Sequence, residues 1–186
     1  MESTLNPRRL CAAALAVAAL FLLAQAAWIP AKAWLGQRLL EAAWHRVQSG
    51  EPDARPWPWA DTSPVAELAI PRLGLHQLVV EGASGRNLAW APAALTPVTG
   101  GDIIISAHRD THFSALRHAL PGDLVTLRTP TGERRYRITH QEVIDSRDTE
   151  LVIDPSGNRL TLVTCWPFDA VTAGGPMRWV INALPA

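Results

Sequence analysis

The chain has 186 residues, and its 17 basic side chains balance its 17 acidic ones. A chain of this length can build one hydrophobic core without a disulfide or a structural metal. No run of lysines and arginines concentrates positive charge, which argues against a nucleic-acid partner.

The first predicted element is an apolar segment at residues 10–29, in which Gln25 is the only strongly polar side chain. A segment of this length is enough to cross a bilayer as a helix. Arg8 and Arg9 precede it, and basic residues on this side predict that the N-terminal end stays in the cytoplasm. We therefore expect a single-pass protein of the inner (cytoplasmic) membrane, with residues 10–29 in the lipid bilayer and the following domain exported to the periplasmic or extracytoplasmic side.

A cleaved signal peptide is the alternative for this segment, because Ala24, Gln25 and Ala26 form a small-x-small pattern after an apolar run. The apolar run continues past this pattern to Ile29, which favours retention. We interpret residues 1–30 as a cytoplasmic stub and an uncleaved membrane anchor.

Residues 31–64 form the next predicted region. Apolar side chains recur there at helical spacing, namely Leu35, Leu39, Ala42, Ala43 and Val47. From residue 50 onwards, prolines alternate with tryptophans, and this composition excludes regular helix or strand. The pattern predicts a juxtamembrane helix and a semi-rigid spacer, with the folded domain beginning near Val65.

Short segments rich in Val, Ile, Leu and Thr, separated by Gly or Pro, predict seven strands in residues 65–186. They are residues 65–70, 75–80, 102–107, 124–128, 134–144, 160–165 and 178–181. A short helix is predicted at residues 113–120, and Thr129-Pro130-Thr131-Gly132 predicts a tight turn that joins two strands as a hairpin. So many short strands indicate an all-β sandwich or barrel.

Cys165 is the first candidate for chemistry. The chain has two cysteines, and Cys11 lies in the apolar segment, so Cys165 is expected to be a free thiol. It ends the predicted strand 160–165 and is followed by Trp166-Pro167, which places the thiol at a strand end beside a loop. A reactive nucleophile and a buried, inert cysteine are both consistent with this position.

His108 is the histidine best placed to assist a thiol, because it follows the apolar residues 103–107 and also sits at a strand end. A cysteine that attacks a peptide carbonyl needs a proton donor for the departing amine, and histidine commonly supplies the proton. A metal site formed by His108 and His112 is the alternative. Arg109 between them is a poor neighbour for a bound cation, and we expect no metal.

Arg178 begins the last predicted strand, after a Gly-Gly-Pro break. If this strand pairs beside strand 160–165, the guanidinium lies near Cys165 and stabilises negative charge on a carbonyl oxygen. A surface arginine in a salt bridge is the alternative.

These elements resemble those of the sortase family. Thr161-Leu162-Val163-Thr164-Cys165 is similar to the TLxTC signature of sortases, residues 107–112 resemble their histidine-containing strand end, and Arg178 lies 13 residues beyond the cysteine, similar to the family's arginine. The resemblance covers residues 65–181, and the three elements occur in the family's order. Residues 165–169 and the Trp-Pro-rich spacer are most similar to the small sortases of Gram-negative bacteria.

The resemblance implies an eight-stranded β-barrel with short helices, in a catalytic domain at residues 65–186. It also implies a membrane-anchored cysteine transpeptidase. Cys165 would be the nucleophile and His108 the general acid/base, and Arg178 would stabilise the oxyanion or the substrate.

The implied reaction cleaves a C-terminal sorting signal of the LPxTG type through a thioacyl-enzyme and transfers the acyl group to an amine. Thr164 and Trp166, which flank the nucleophile, are expected to contact this substrate. The implied partners are a protein that carries the signal and an amine acceptor. No metal or organic cofactor is expected.

Two other classes of protein fit parts of the pattern. A non-catalytic envelope β-domain also carries polar residues at strand ends, where they bind a partner. An exported cysteine protease of the papain type would place its cysteine before its histidine, the reverse of the order here. Reaction of Cys165 with iodoacetamide separates a catalytic cysteine from an inert one.

Overall fold

The computed structural model describes residues 7–172 and 174–186. Helix α1 spans Pro7–Gln48 and includes Pro30. Within the described residues, it is the one helix long and apolar enough to cross a membrane. The predicted apolar segment and the predicted juxtamembrane helix are therefore parts of one helix. The chain divides into two compact units, of which the first ends at Arg38 and the second begins at Leu39.

The second unit is built on eight β-strands. They are β1 (Pro64–Ile70), β2 (Leu75–Glu81), β3 (Ala93–Ala94), β4 (Ile103–Ser106), β5 (Leu124–Thr129), β6 (Gly132–Asp145), β7 (Leu160–Cys165) and β8 (Met177–Pro185). The short helix α2 (Gly85–Leu88) and the 3₁₀ helices Pro71–Leu73 and Ser114–His118 lie between strands. All seven strands predicted from the sequence pattern are present, and the predicted helix at residues 113–120 is the second 3₁₀ helix. Only β3 has no counterpart in that pattern, because its length is two residues.

The strands close into a barrel in the order β1-β2-β3-β4-β7-β8-β6-β5. Antiparallel pairing of β1 with β5 completes the closure. Two neighbouring pairs are parallel, β2 with β3 and β4 with β7. The fold is thus the eight-stranded, all-β barrel implied by the resemblance. The parallel pair β4 and β7 bears on function, because parallel neighbours bring their C-terminal ends to the same edge of a sheet.

Side chains that alternate along the strands fill the barrel. In β1, Ala66, Leu68 and Ile70 are buried, whereas the residues between them are only partly buried. An eight-stranded barrel has an interior just wide enough to be filled by side chains. The largest side chains that fill it are Tyr136, Phe113, Leu68, Ile70, Ile103, Ile105, Leu116, Leu127, Ile138, Leu160 and Leu162. The core therefore lies inside the barrel.

The last turns of α1 pack against the barrel. The buried side chains there recur at helical spacing and are Leu40, Ala43, Trp44 and Val47. Leu40 packs with Val80 of β2 and Ala93 of β3. The second unit therefore includes the end of this helix as well as the barrel.

Residues 49–63 also belong to the second unit. Trp57 makes an edge contact with Trp90, with ring centroids 5.1 Å apart. Thr62 is buried, and its hydroxyl donates a hydrogen bond to the Glu81 carbonyl at 2.6 Å. The sequence pattern predicts a spacer ahead of a domain that begins near Val65. In the structure these residues are attached to the barrel, because their side chains find partners on β2 and in the turn after α2, which are distant in sequence.

Asp102 fixes the end of the long β6–β7 connection that leads into β7. Asp102 is buried and directly precedes β4 in the sequence. Its carboxylate accepts hydrogen bonds from the backbone N–H of Arg159 at 2.9 Å and from the Arg159 guanidinium at 2.7 Å. Gly157 lies so close to this carboxylate that an added Cβ would clash with Oδ1. These contacts join the starts of β4 and β7, and so support the register that aligns the other ends of the two strands.

Candidate active site

Cys165 is the last residue of β7 and is half-buried. Alternation along the strand places Leu162 in the barrel core and Cys165 on the outer face of the sheet. Val163 shares this outer face and packs with Ile104 and Val180. The thiol therefore lies on the outside of the barrel, at the end of an apolar strip.

Arg178 lies directly opposite Cys165. β7 and β8 pair antiparallel, with Cys165 facing Arg178 and Val163 facing Val180. Side chains of residues opposite each other in such a pair lie on the same face, with Cβ atoms about 5 Å apart. The predicted pairing of the last strand beside the cysteine strand is thus present, and it brings the guanidinium to the same face as the thiol.

The Arg178 guanidinium is oriented by the loop that precedes it. Nη1 donates to the carbonyl oxygens of Gly175 at 2.8 Å and Met177 at 2.9 Å. The charge of Arg178 also helps to lower the pKa of Asp145 to about 2, but hydrogen bonds from Arg147 are the main cause. Of the three guanidinium nitrogens of Arg178, only Nη1 has a hydrogen-bond partner among the described residues. Nε and Nη2 are therefore available to a carbonyl oxygen of a substrate.

His108 follows β4 and leaves the sheet at the same edge as Cys165. The Ala107 N–H donates to the Val163 carbonyl at 3.2 Å, and the Thr164 hydroxyl donates to the Ala107 carbonyl at 2.7 Å. Ala107 and Thr164 are the residues immediately before His108 and Cys165, so these bonds tie together the strand ends from which both residues project. The side chain of His108 is exposed.

Thr164 and Trp166 lie on either side of the nucleophile and have different surroundings. Thr164 is 1% exposed, and its hydroxyl is already bonded to the Ala107 carbonyl. Alternation along β7 turns this side chain inward, and a contact between Thr164 and a substrate stays a prediction. Trp166 is half-buried and stacks on Trp179, with ring centroids 5.3 Å apart. Its remaining surface is exposed.

Replacement of Thr164 by valine is expected to lower the free energy of unfolding by about 1–3 kcal/mol, because the buried Ala107 carbonyl loses its partner while the shape of the side chain is kept. Thr164→Ser retains the hydroxyl and serves as the matched control. Urea denaturation followed by circular dichroism measures both. A valine variant as stable as the serine variant would contradict the importance of this bond.

His112 is the second histidine of the loop that begins at His108. Its Nδ1 lies 3.0 Å from Oε1 of Gln77 on β2. Burial lowers the pKa of His112, and electrostatic interaction with His108 lowers it further. No group of three or more His, Cys, Asp or Glu side chains arranged to hold a metal ion occurs in residues 7–172 and 174–186.

Arg109 is a candidate functional residue that the sequence pattern does not identify. It is 4% exposed, and Nη2 donates to the carbonyl oxygens of Ala170 at 3.2 Å and Thr172 at 2.9 Å. Both carbonyls belong to the loop that follows Cys165. The only signal in the sequence is an arginine directly after the strand-end histidine, and because arginines are usually exposed, its burial is not predictable from that position.

Residues 68–186 match the family model described as the sortase domain. The chain is 30% identical over 119 residues to Sortase D of Bacillus subtilis (strain 168), and the match covers 61% of this chain and 60% of that relative. The chain therefore spans 60% of the length of this curated relative.

Two solved structures have the same fold. Sortase A from Corynebacterium diphtheriae has a TM-score of 0.60 at 22% identity, with 81% of this chain and 84% of that chain covered. A Clostridium perfringens Sortase D5 transpeptidase has a TM-score of 0.57 at 22% identity, with 67% of this chain and 79% of that chain covered. The matched family model extends from within β1 to the C-terminal end of the barrel, which is more than half of the chain. The chain belongs to the sortase family.

Proposed function

We propose that this protein is a membrane-anchored cysteine transpeptidase that cleaves a C-terminal sorting signal and transfers the acyl group to an amine. The observation that carries the proposal is the arrangement at one edge of the barrel. Cys165 and Arg178 face each other on the outer surface, and His108 projects from the adjoining strand end. Membership of the sortase family supports this reading.

In the first half of the proposed reaction, the Cys165 thiolate attacks the carbonyl carbon of the threonine in an LPxTG-type signal. Arg178 donates hydrogen bonds to the carbonyl oxygen as it becomes negative. Collapse of the tetrahedral intermediate breaks the C–N bond, and His108, as imidazolium, protonates the departing amine. A thioester between Cys165 and the threonine remains.

In the second half, an amine attacks the thioester carbonyl, and His108 takes the proton that the amine loses. The C–S bond breaks, a new amide forms and Cys165 leaves as thiolate. Water in place of the amine gives hydrolysis as a slower side reaction. The half-exposed ring of Trp166 is a proposed contact for the signal peptide.

The test is an assay of the full-length protein in detergent with LPxTG-type peptides and triglycine as the amine. A peptide–triglycine conjugate and a covalent acyl adduct on Cys165, both detected by mass spectrometry, are the expected products. A binding module would yield neither the conjugate nor the acyl adduct on Cys165. Hydrolysed peptide without any peptide–triglycine conjugate would indicate a protease instead of a transpeptidase.

We propose further that residues 10–29 anchor the protein in the inner membrane and that the barrel lies on the periplasmic side. This topology, like assignment to the small sortases of Gram-negative bacteria, rests on the sequence pattern; the long apolar helix α1 supports the anchor. Carbonate washing is expected to leave the full-length protein with the membrane. Protease added to spheroplasts is expected to digest the barrel. A soluble product that begins at Ala27 would instead support cleavage.

A further inference from the structure

We propose that Arg109 is a positioning residue that couples the loop carrying His108 to the loop that follows Cys165, and so holds the general acid in place for amide cleavage. This inference rests on the proposed function, because it assigns His108 the protonation of the leaving amine.

The first argument is the unusual environment of the Arg109 guanidinium. Arginine is rarely this deeply buried unless it is paired. The Arg109 side chain is 4% exposed, whereas its carboxylate partner, Asp110, is 68% exposed and lies 3.1 Å from Nε. Nη1 is buried and has no hydrogen-bond partner in the part of the chain that the structure describes. A buried charge that is so incompletely compensated costs free energy, and residues of this kind persist mainly where function requires them.

The second argument is what Arg109 does for its neighbour. On the N-terminal side, His108 is fixed to β7 through Ala107 and the Thr164 hydroxyl. On the C-terminal side, Arg109 fixes it to the carbonyl oxygens of Ala170 and Thr172. Without Arg109, the C-terminal side of His108 keeps the hydrogen bond that the Phe113 N–H donates to the His108 carbonyl at 3.0 Å, but it loses its attachment to the loop that follows Cys165. A displacement of about 1 Å of a reacting group can cost a hundredfold in rate.

The third argument is that the nucleophile does not depend on Arg109. Cys165 is held in the β7–β8 ladder opposite Arg178. The loop that follows it has further attachments, because Arg117 donates to the Phe168 carbonyl at 3.2 Å and Arg178 donates to the Gly175 carbonyl at 2.8 Å. Loss of Arg109 should therefore disturb proton donation by His108 and leave the thiol in place.

Two substrates with the same acyl part separate these effects. One is the peptide amide, whose leaving amine needs a proton, and the other is an activated thioester, whose leaving thiolate does not. For Arg109→Met and Arg109→Lys in the full-length protein, we expect the single-turnover acylation rate with the amide to fall about 10- to 30-fold. With the thioester it should stay within about twofold of wild type, since no proton donor is needed.

Arg137→Met is the matched control. Arg137 is an exposed arginine of β6 that also donates to a backbone carbonyl, that of Gly122 at 3.0 Å. We expect this variant to match wild type with both substrates, because it lies outside the loops that carry His108 and follow Cys165.

The ratio of the two rates decides the outcome, because a partly unfolded sample lowers both rates equally and leaves their ratio unchanged. An unchanged ratio in Arg109→Lys, the more conservative variant, would overturn the positioning role even if Arg109→Met does not fold. A wild-type protein that is inactive with both substrates would overturn the proposed transpeptidase function and this inference together. Wild-type activity with an unchanged ratio in the variants would overturn only the role of Arg109.

Discussion

Replacement of Cys165 by alanine is expected to abolish both cleavage of a sorting-signal peptide and transfer to an amine. The variant lacks the atom that forms the thioester, and loss of a covalent nucleophile removes several orders of magnitude in rate. The fold should be unaffected, because the thiol lies on the outer face of the sheet and is only half-buried. Chromatography of the peptide products and a thermal melting curve test both parts.

Cys11→Ala is the matched control for this prediction. Cys11 is the other cysteine of the chain and lies in α1, outside the barrel. This variant should be fully active, and it leaves Cys165 as the single thiol for iodoacetamide labelling. Transfer by Cys165→Ala above about one hundredth of wild type would contradict the role of nucleophile.

Replacement of Arg178 by lysine is expected to be nearly as damaging as replacement by alanine. Both variants should lose roughly a hundredfold in turnover, or about 3 kcal/mol, as is typical for loss of one oxyanion donor. In the structure, the carbonyls of Gly175 and Met177 hold one end of the planar guanidinium. Lysine keeps the charge but cannot bond these carbonyls and reach the substrate with a fixed fork of donors.

Arg128→Ala is the control for Arg178, because Arg128 is an exposed arginine paired with Glu67 at 3.5 Å. Arg128 has the role that the alternative interpretation assigns to Arg178, that of a surface arginine in a salt bridge. Its loss should leave turnover unchanged. Steady-state kinetics and melting curves on all three variants test the prediction. Normal turnover in Arg178→Lys would transfer the oxyanion role to backbone amides near Cys165.

The sequence by itself determined the local elements. Segments rich in Val, Ile, Leu and Thr between Gly or Pro breaks marked seven strands, because strand formation and turns depend on residues close together in the chain. The same pattern placed Cys165 and His108 at strand ends. It also marked the apolar segment at residues 10–29, since length and hydropathy suffice for that prediction.

The tertiary structure alone decided how these elements meet. The register of β7 against β8 sets Arg178 opposite Cys165, and the parallel pairing of β4 with β7 brings in His108. A shift of one residue would turn each of these side chains to the other face. That register depends on contacts between residues far apart in sequence, such as the Asp102 bonds to Arg159 at the opposite end of the same two strands.

The same physical reason explains the burial of Thr164 and Arg109, which the sequence pattern does not predict. The Thr164 side chain turns inward because the pairing of β7 with β4 and β8 sets which face of the sheet each residue occupies. Residues close to Thr164 in sequence do not reveal this pairing. The Arg109 guanidinium is buried where it donates hydrogen bonds to two carbonyls of the loop that follows the nucleophile. These carbonyls lie about 60 residues later in the chain, so the sequence around Arg109 does not reveal them. Local pattern predicts which residues stand at strand ends, whereas burial and partners follow from long-range packing.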